Sequence, residues 1–114
     1  YIIDLGRKMP PFPDALRTDT AKVRGCASQV WLVGARDDGR MTFIGDSDAL
    51  IVRGLIAILL RIYSGKTPGE ILALDARNIL ATLGLDTHLS QQRSNGLNAM
   101  VERIRADATA AQGA

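Results

Sequence analysis

One cysteine and one histidine stand in 114 residues, and that scarcity excludes whole classes of chemistry. A lone thiol forms no internal disulfide and builds no cysteine cage. With a single histidine and scattered acids, no ligand spacing for zinc or an iron–sulfur cluster is recognisable, so neither a bound metal nor a cofactor is expected. Charge is equally sparing: the formal net charge is +2, and no basic block runs along the chain, which gives nucleic-acid binding no support. Long apolar runs are also missing. The strongest, Ala49 to Tyr63, is broken by Arg53 and Arg61 and is too short to cross a bilayer. Asp4, Arg7 and Lys8 interrupt the only apolar residues at the start, so no signal peptide is read there. One cysteine in an otherwise ordinary chain fits a reducing compartment, and the cytoplasm is the expectation.

What is present suits a single domain spanning 1–114. A hydrophobic content of 46% is too high for a disordered chain, and this length buries one core without staples. Tyr1 to Gly6 reads like the tail of a helix, so an amino-terminal helix is expected to be truncated. Three prolines, Pro10, Pro11 and Pro13, then exclude helix and favour an extended connector. Short strands are predicted at Lys22 to Gly25, Gln29 to Gly34 and Met41 to Ile44. Asp37-Asp38-Gly39 marks a hairpin between the last two, because glycine accepts the positive φ of a tight turn.

Beyond Gly45 the pattern is helical. Asp46-Ser47-Asp48 offers capping oxygens to a helix through Tyr63 that is apolar on nearly every side, with Gly65 as its stop. Thr67-Pro68-Gly69-Glu70 is a capping box opening a short helix to about Leu74. Asp75 caps another that stops near Gly84. A last helix begins after Ser90 with the stripe Leu97, Met100, Val101, Ile104 and Ala108 on one side, and residues 109–114 are expected to fray. Strands first and helices afterwards predict an α+β fold: a small three-stranded antiparallel sheet with helices packed on one face.

The chemistry centres on Cys26. It lies between two predicted strands among Arg24, Gly25, Ala27, Ser28 and Gln29, small and polar neighbours that leave room for a sulfur, and a cation beside it would favour the thiolate. The plainer alternative is a cysteine serving as a small hydrophobe. His88 can serve the thiol as a base or simply bond to backbone in a loop. Arg93, at the start of the last helix's core stripe, can stabilise a sulfur anion or pair with Asp86 at the surface. Asp46 and Asp48 have a sufficient role as caps, or can receive cations from a partner. Gly65-Lys66-Thr67 lacks the upstream glycine of a phosphate loop, since Leu60 stands there.

Five blocks, taken in order, resemble the SufE family of sulfur-acceptor proteins: Gly25-Cys26-Ala27-Ser28-Gln29-Val30-Trp31, Gly45-Asp46-Ser47-Asp48-Ala49, Ile51-Val52-Arg53-Gly54-Leu55-Ile56-Ala57, Tyr63-Ser64-Gly65-Lys66-Thr67-Pro68 and His88-Leu89-Ser90-Gln91-Gln92-Arg93-Ser94-Asn95-Gly96-Leu97. Gln91 stands where relatives often carry proline. The resemblance implies an accessory protein, not an independent enzyme. Such proteins dock on a PLP-dependent cysteine desulfurase of the SufS or CsdA kind, take persulfide sulfur onto one cysteine, stimulate the desulfurase, and pass sulfur to a SufBCD-like iron–sulfur assembly scaffold. Cys26 matches the acceptor and Arg93 the arginine expected beside it, with His88 a further candidate. Arg24, Gly25, Ala27, Ser28, Gln29, Asp46 and Asp48 form the expected partner-contact surface. The alternative is a cluster scaffold or another sulfur-trafficking protein of the same fold.

Overall fold

The computed structural model describes residues 2–25, 28–82, 84 and 90–112. In chain order the elements are α1 (Ile2–Arg7), a 3-10 turn (Asp14–Leu16), β1 (Val30–Asp37), β2 (Arg40–Ser47), α2 (Leu50–Tyr63), α3 (Pro68–Ala73), α4 (Ala76–Thr82) and α5 (Gln91–Gln112). The architecture is α+β, as the element pattern predicts. β1 and β2 form an antiparallel hairpin in which Asp37 faces Arg40 and Val30 faces Ser47. The turn between them puts Asp38 at φ 53° and Gly39 at φ 77°, the two left-handed residues of a type I′ turn.

The predicted three-stranded sheet has two strands. Lys22 makes only an isolated bridge to Trp31, through Val23 N–H donating to the Val30 carbonyl at 2.8 Å and Leu32 N–H donating to the Ala21 carbonyl at 2.9 Å. A turn at 18–22 precedes the bridge, and Gly25 at φ 89° follows it, so the chain is extended too briefly to propagate a ladder. β2, by contrast, runs on to Ser47, past the expected end at Ile44.

Alternation assigns the faces. Val30, Leu32, Met41 and Phe43 are buried on the side that meets the helices, while Trp31 and Asp46 pair on the other. α2 crosses the inner face of β2 and buries Gly54 through Leu59 and Tyr63, which leaves Arg53 and Arg61 as its charged side chains. The approach is tight at Gly45, where a Cβ would lie 2.6 Å from Leu32 Cδ2 and 2.9 Å from Ile56 Cγ2. α5 lays Leu97, Met100, Ile104, Ala108 and Ala111 into the same core.

Two expectations about helix ends are corrected. Among the described residues the oxygens of Asp46-Ser47-Asp48 accept from no amide inside α2: Ala49 occupies the N-cap position, and Ser47 Oγ accepts from the Ala49 N–H at 3.2 Å, just ahead of the helix. Asp46 and Ser47 are still in the strand, and Asp48 is turned toward Gln29. The tail expected to fray from 109 instead continues α5 to Gln112. Buried Ala108 and Ala111 and a bond from the Arg36 guanidinium to the Ala111 carbonyl at 3.1 Å anchor it. The capping box is formed as expected: Thr67 Oγ1 accepts from Glu70 N–H, and Glu70 Oε1 accepts from Thr67 N–H.

Replacing Gly45 by alanine is expected to cost about 1–3 kcal/mol by overpacking. Gly69→Ala, with its nearest neighbour at 3.6 Å, is expected to leave the urea midpoint unchanged or slightly higher. Tyr63 supplies a pH test. Burial pushes its hydroxyl above the ordinary 10.0, so the neutral phenol stabilises the fold below that pH, and the contribution is lost as pH rises further. Urea midpoints compared at about pH 8 and about pH 11 are expected to fall less in Tyr63→Phe than in the parent.

Candidate functional site

The segment that carries the cysteine in the sequence leaves the bridge at Val23 and rejoins the sheet at Val30. Cys26, Ala27 and His88 lie outside the described residues; the stretches that precede and follow Cys26 and Ala27 in the chain do not. On the entering side, the Arg103 guanidinium donates to the Thr20 carbonyl at 2.7 Å and the Lys22 carbonyl at 3.4 Å, and it is itself oriented by Asp107, one turn on, at 3.5 Å. On the leaving side, Gln29 N–H donates to Asp48 Oδ1 at 3.1 Å, and Asp48 N–H returns a bond to the Gln29 carbonyl at 3.3 Å. This reciprocal pair joins the end of the segment to the loop after β2. Gly25 approaches α5, where a Cβ would touch that of Ala99 at 3.4 Å. Both stems are therefore fixed by groups outside the segment, one on α5 and one in the loop between β2 and α2.

Asp46 lies under the same corner, on the outer face beside Trp31. It is only 8% exposed. Its Oδ2 accepts from Arg17 Nη2 at 2.6 Å, and its Oδ1 makes an ion pair with Arg53 Nε of α2 at 2.9 Å. Arg17 comes from the connector after the prolines. Its guanidinium also bonds to Asp14 at 3.0 Å and lies 5.3 Å from the Phe12 ring centroid and 5.0 Å from that of Trp31, where the ring faces attract a cation. The hydrogen bonds to Asp46 first and Asp14 second raise its pKa further. One carboxylate thus ties the connector, the sheet and α2 together. Asp46, expected on the partner-contact surface, is paired within its own chain, with Arg17 and Arg53 as its two cations.

Arg93 sits in the first turn of α5, exposed, with its backbone N–H donating to the Ser90 hydroxyl at 3.2 Å. It precedes Ala99 by six residues, about 9 Å along the helix axis. Both the arginine and the Gly25 corner are therefore on the amino-terminal half of α5. Arg24 and Gln29 are exposed, and Ser28 half-buried. The structure gathers Arg24, Gly25, Ser28, Gln29 and Asp48 into one corner, with α5 leading to Arg93. Sequence reasoning missed Arg17 and Arg103. Each acts on carbonyls or a carboxylate far away in sequence, 29 residues in one case and 81 or 83 in the other, and no local pattern marks them. Among the described residues no group of three or more His, Cys, Asp or Glu side chains converges as a metal site, and no helix is long and apolar enough to cross a membrane.

Residues 1–108 match the family model described as SufE, Fe-S metabolism associated domain. An uncharacterised SufE-like protein of Rhizobium meliloti is 52% identical, the match covering 95% of this chain and 80% of that protein. One of Rhizobium etli is 54% identical over 95% of this chain and 76% of its own. The solution structure of a hypothetical protein from Thermus thermophilus has a similar fold, with a TM-score of 0.81 at 19% identity over 99% of this chain and 82% of that one.

The two acids at this corner are expected to separate in their effects. Asp46→Ala strands Arg53 in a half-buried position and should lower global stability by about 1–3 kcal/mol, read from urea unfolding. Asp48→Ala should change global stability little and speed hydrogen exchange at the Gln29 amide by about tenfold, since one net hydrogen bond is removed.

Proposed function

Because the chain belongs to the SufE family of Fe-S metabolism associated domains, we propose that it is a sulfur carrier with Cys26 as the acceptor. The observation that supports this most directly is the anchored segment. Both stems are tied down, by Arg103 on one side and Asp48 on the other, and the only cysteine of the chain lies between them. A carrier needs that arrangement, because its thiol must meet a partner's sulfur in a set geometry.

The transfer balances without a cofactor of this chain's own. The Cys26 thiolate attacks the outer sulfur of a cysteine persulfide on a PLP-dependent desulfurase. A new S–S bond forms at Cys26, the partner's S–S bond breaks, and the partner's cysteine leaves as a thiolate. Arg93, at the start of α5, supplies a positive charge that favours the anionic thiolate and persulfide. Removing persulfide from the desulfurase frees it for another cycle, which is how a carrier stimulates its partner. The reverse step, onto an iron–sulfur assembly scaffold, follows the same exchange. Arg24, Gly25, Ala27, Ser28, Gln29 and Asp48 then form the contact surface, and a cytoplasmic site of action suits an oxidation-prone persulfide.

Incubating the protein with a cysteine desulfurase, PLP and free cysteine should add sulfur-atom masses to the intact chain. Those additions should vanish in Cys26→Ser and on treatment with dithiothreitol. Absence of any addition to the parent chain would overturn the reading. Arg93→Ala should slow transfer by about tenfold while leaving the unfolding midpoint unchanged, as expected for loss of one charge-assisted contact. Hydrolysis of model thioesters without the desulfurase, if dependent on Cys26, would point instead to a thiol hydrolase.

A further inference from the structure

The outer edge of β1 is left open for half its length. Residues 30, 32, 34 and 36 turn their backbone groups away from β2, because the bridge uses the Val30 carbonyl and the Leu32 N–H and alternate residues of a strand share an edge. The bridge satisfies the first part of that edge. The turn at 18–22 then leads the chain away: Lys22 N–H donates to the Thr18 carbonyl at 3.1 Å and Ala21 N–H to Thr18 Oγ1 at 3.2 Å. Among the described residues no partner reaches the amide and carbonyl of Gly34 or Arg36. The far edge of β2 differs, since Met41 is covered by Gly65 and Lys66, and Phe43 N–H by the Ser64 hydroxyl.

That open edge is recessed. It lines a groove of about 430 Å³ between the connector, represented by Leu16 and Ala21, and the carboxy-terminal half of α5, represented by Asp107 and Ala111. The walls on both sides leave less room for the hairpin of a second copy than for a single extended chain. The charge is also one-sided. Arg36 closes one end with a single bond to the Ala111 carbonyl and, among the described residues, has no carboxylate partner. Arg103 stands further along the wall, and its partner Asp107 supplies the one acid there.

We propose that this groove binds an extended acidic segment of a partner protein by strand addition, with the Gly34 and Arg36 backbone groups pairing the segment and the Arg36 guanidinium receiving an Asp or Glu side chain. The segment runs antiparallel to β1 and takes the line that residues before Ala21 would follow if the turn did not divert them. Backbone pairing supplies the affinity, and the arginine supplies the choice of an acidic sequence. Occupation also removes the hazard of an exposed strand edge. The groove shares Thr20 and Arg103 with the entering stem of the Cys26 segment, while its open pairing groups at Gly34 and Arg36 lie toward the other end of β1 from Val30, where that segment rejoins the sheet.

The test titrates the isotopically labelled full chain with a capped hexapeptide alternating valine and glutamate. The amides of Gly34 and Arg36 are expected to shift and to exchange more slowly, with little change at Gln29. Methylating the peptide nitrogens on one edge only should weaken binding about tenfold or more, and methylating the opposite edge should leave it intact. Exchanging glutamate for lysine should weaken binding about fivefold, and Arg36→Glu should reverse that preference; circular dichroism checks that this variant is folded. The methylated peptides need no variant at all. Equal binding of both methylated forms, no response at Gly34 and Arg36 at millimolar peptide, or shifts there that grow with protein concentration alone would each overturn the proposal, the last in favour of a second copy.

Discussion

A helix that is apolar around most of its circumference has to be enclosed, and the arrangement of this domain follows from that requirement. α2 presents apolar side chains in nearly every direction, and Ile56 and Leu59 are essentially inaccessible to water. No two-layer contact can bury such a helix. The hairpin covers one flank, α1 another and α5 contributes to a third. The absence of a side chain at Gly45 brings sheet and helix close enough for Leu32 and Ile56 to meet across it. Fixing α2 in this way also fixes the loop after β2, because the strand must end and the helix begin within the few residues between Ser47 and Leu50.

That short connection explains why the candidate site is where it is. Asp48, held between the end of β2 and the start of α2, is presented to Gln29 with little freedom to move. Asp46, two residues earlier and on the opposite side of the strand to Gly45, receives Arg53 from α2 and Arg17 from the connector. The ion pairs need not add much net stability, since removing a carboxylate and two guanidinium groups from water is costly. Their value is geometric: they hold the proline-containing connector against Trp31, and the connector leads into the turn at 18–22 and the first stem of the Cys26 segment. The second stem ends on Asp48. The corner is thus held by the same packing that encloses α2.

The two long polar contacts of α5 extend this scheme. Arg103 grips the entering stem through two carbonyls, and Arg105 donates to the Leu72 carbonyl at the end of α3 at 3.1 Å. α5 therefore connects the Cys26 corner to the helical half of the domain. Arg93 lies at the amino-terminal end of this connector, where the helix N-terminus adds its own positive potential.

Much of this was legible in the chain. The near-continuous apolar run from Leu50 to Tyr63, the Thr67 and Glu70 capping box, the Asp38-Gly39 turn and the Leu97 to Ala108 stripe are all local signals, because each depends on residues within one or two turns of one another. The five ordered blocks around Cys26 and Arg93 were local in the same sense. What the chain could not disclose depended on distance. Whether Lys22 to Gly25 forms a strand or a single bridge depends on a turn before it and on α5 after it. Whether Asp46 caps a helix or accepts two arginines depends on where Arg17 arrives from 29 residues away. Local spacing sets element type and picks out the candidate site residues; only the packed fold decides which carbonyls Arg103 reaches, which strand edge stays open, and which acids are already paired, because those outcomes are properties of surfaces brought together and not of neighbours along the chain.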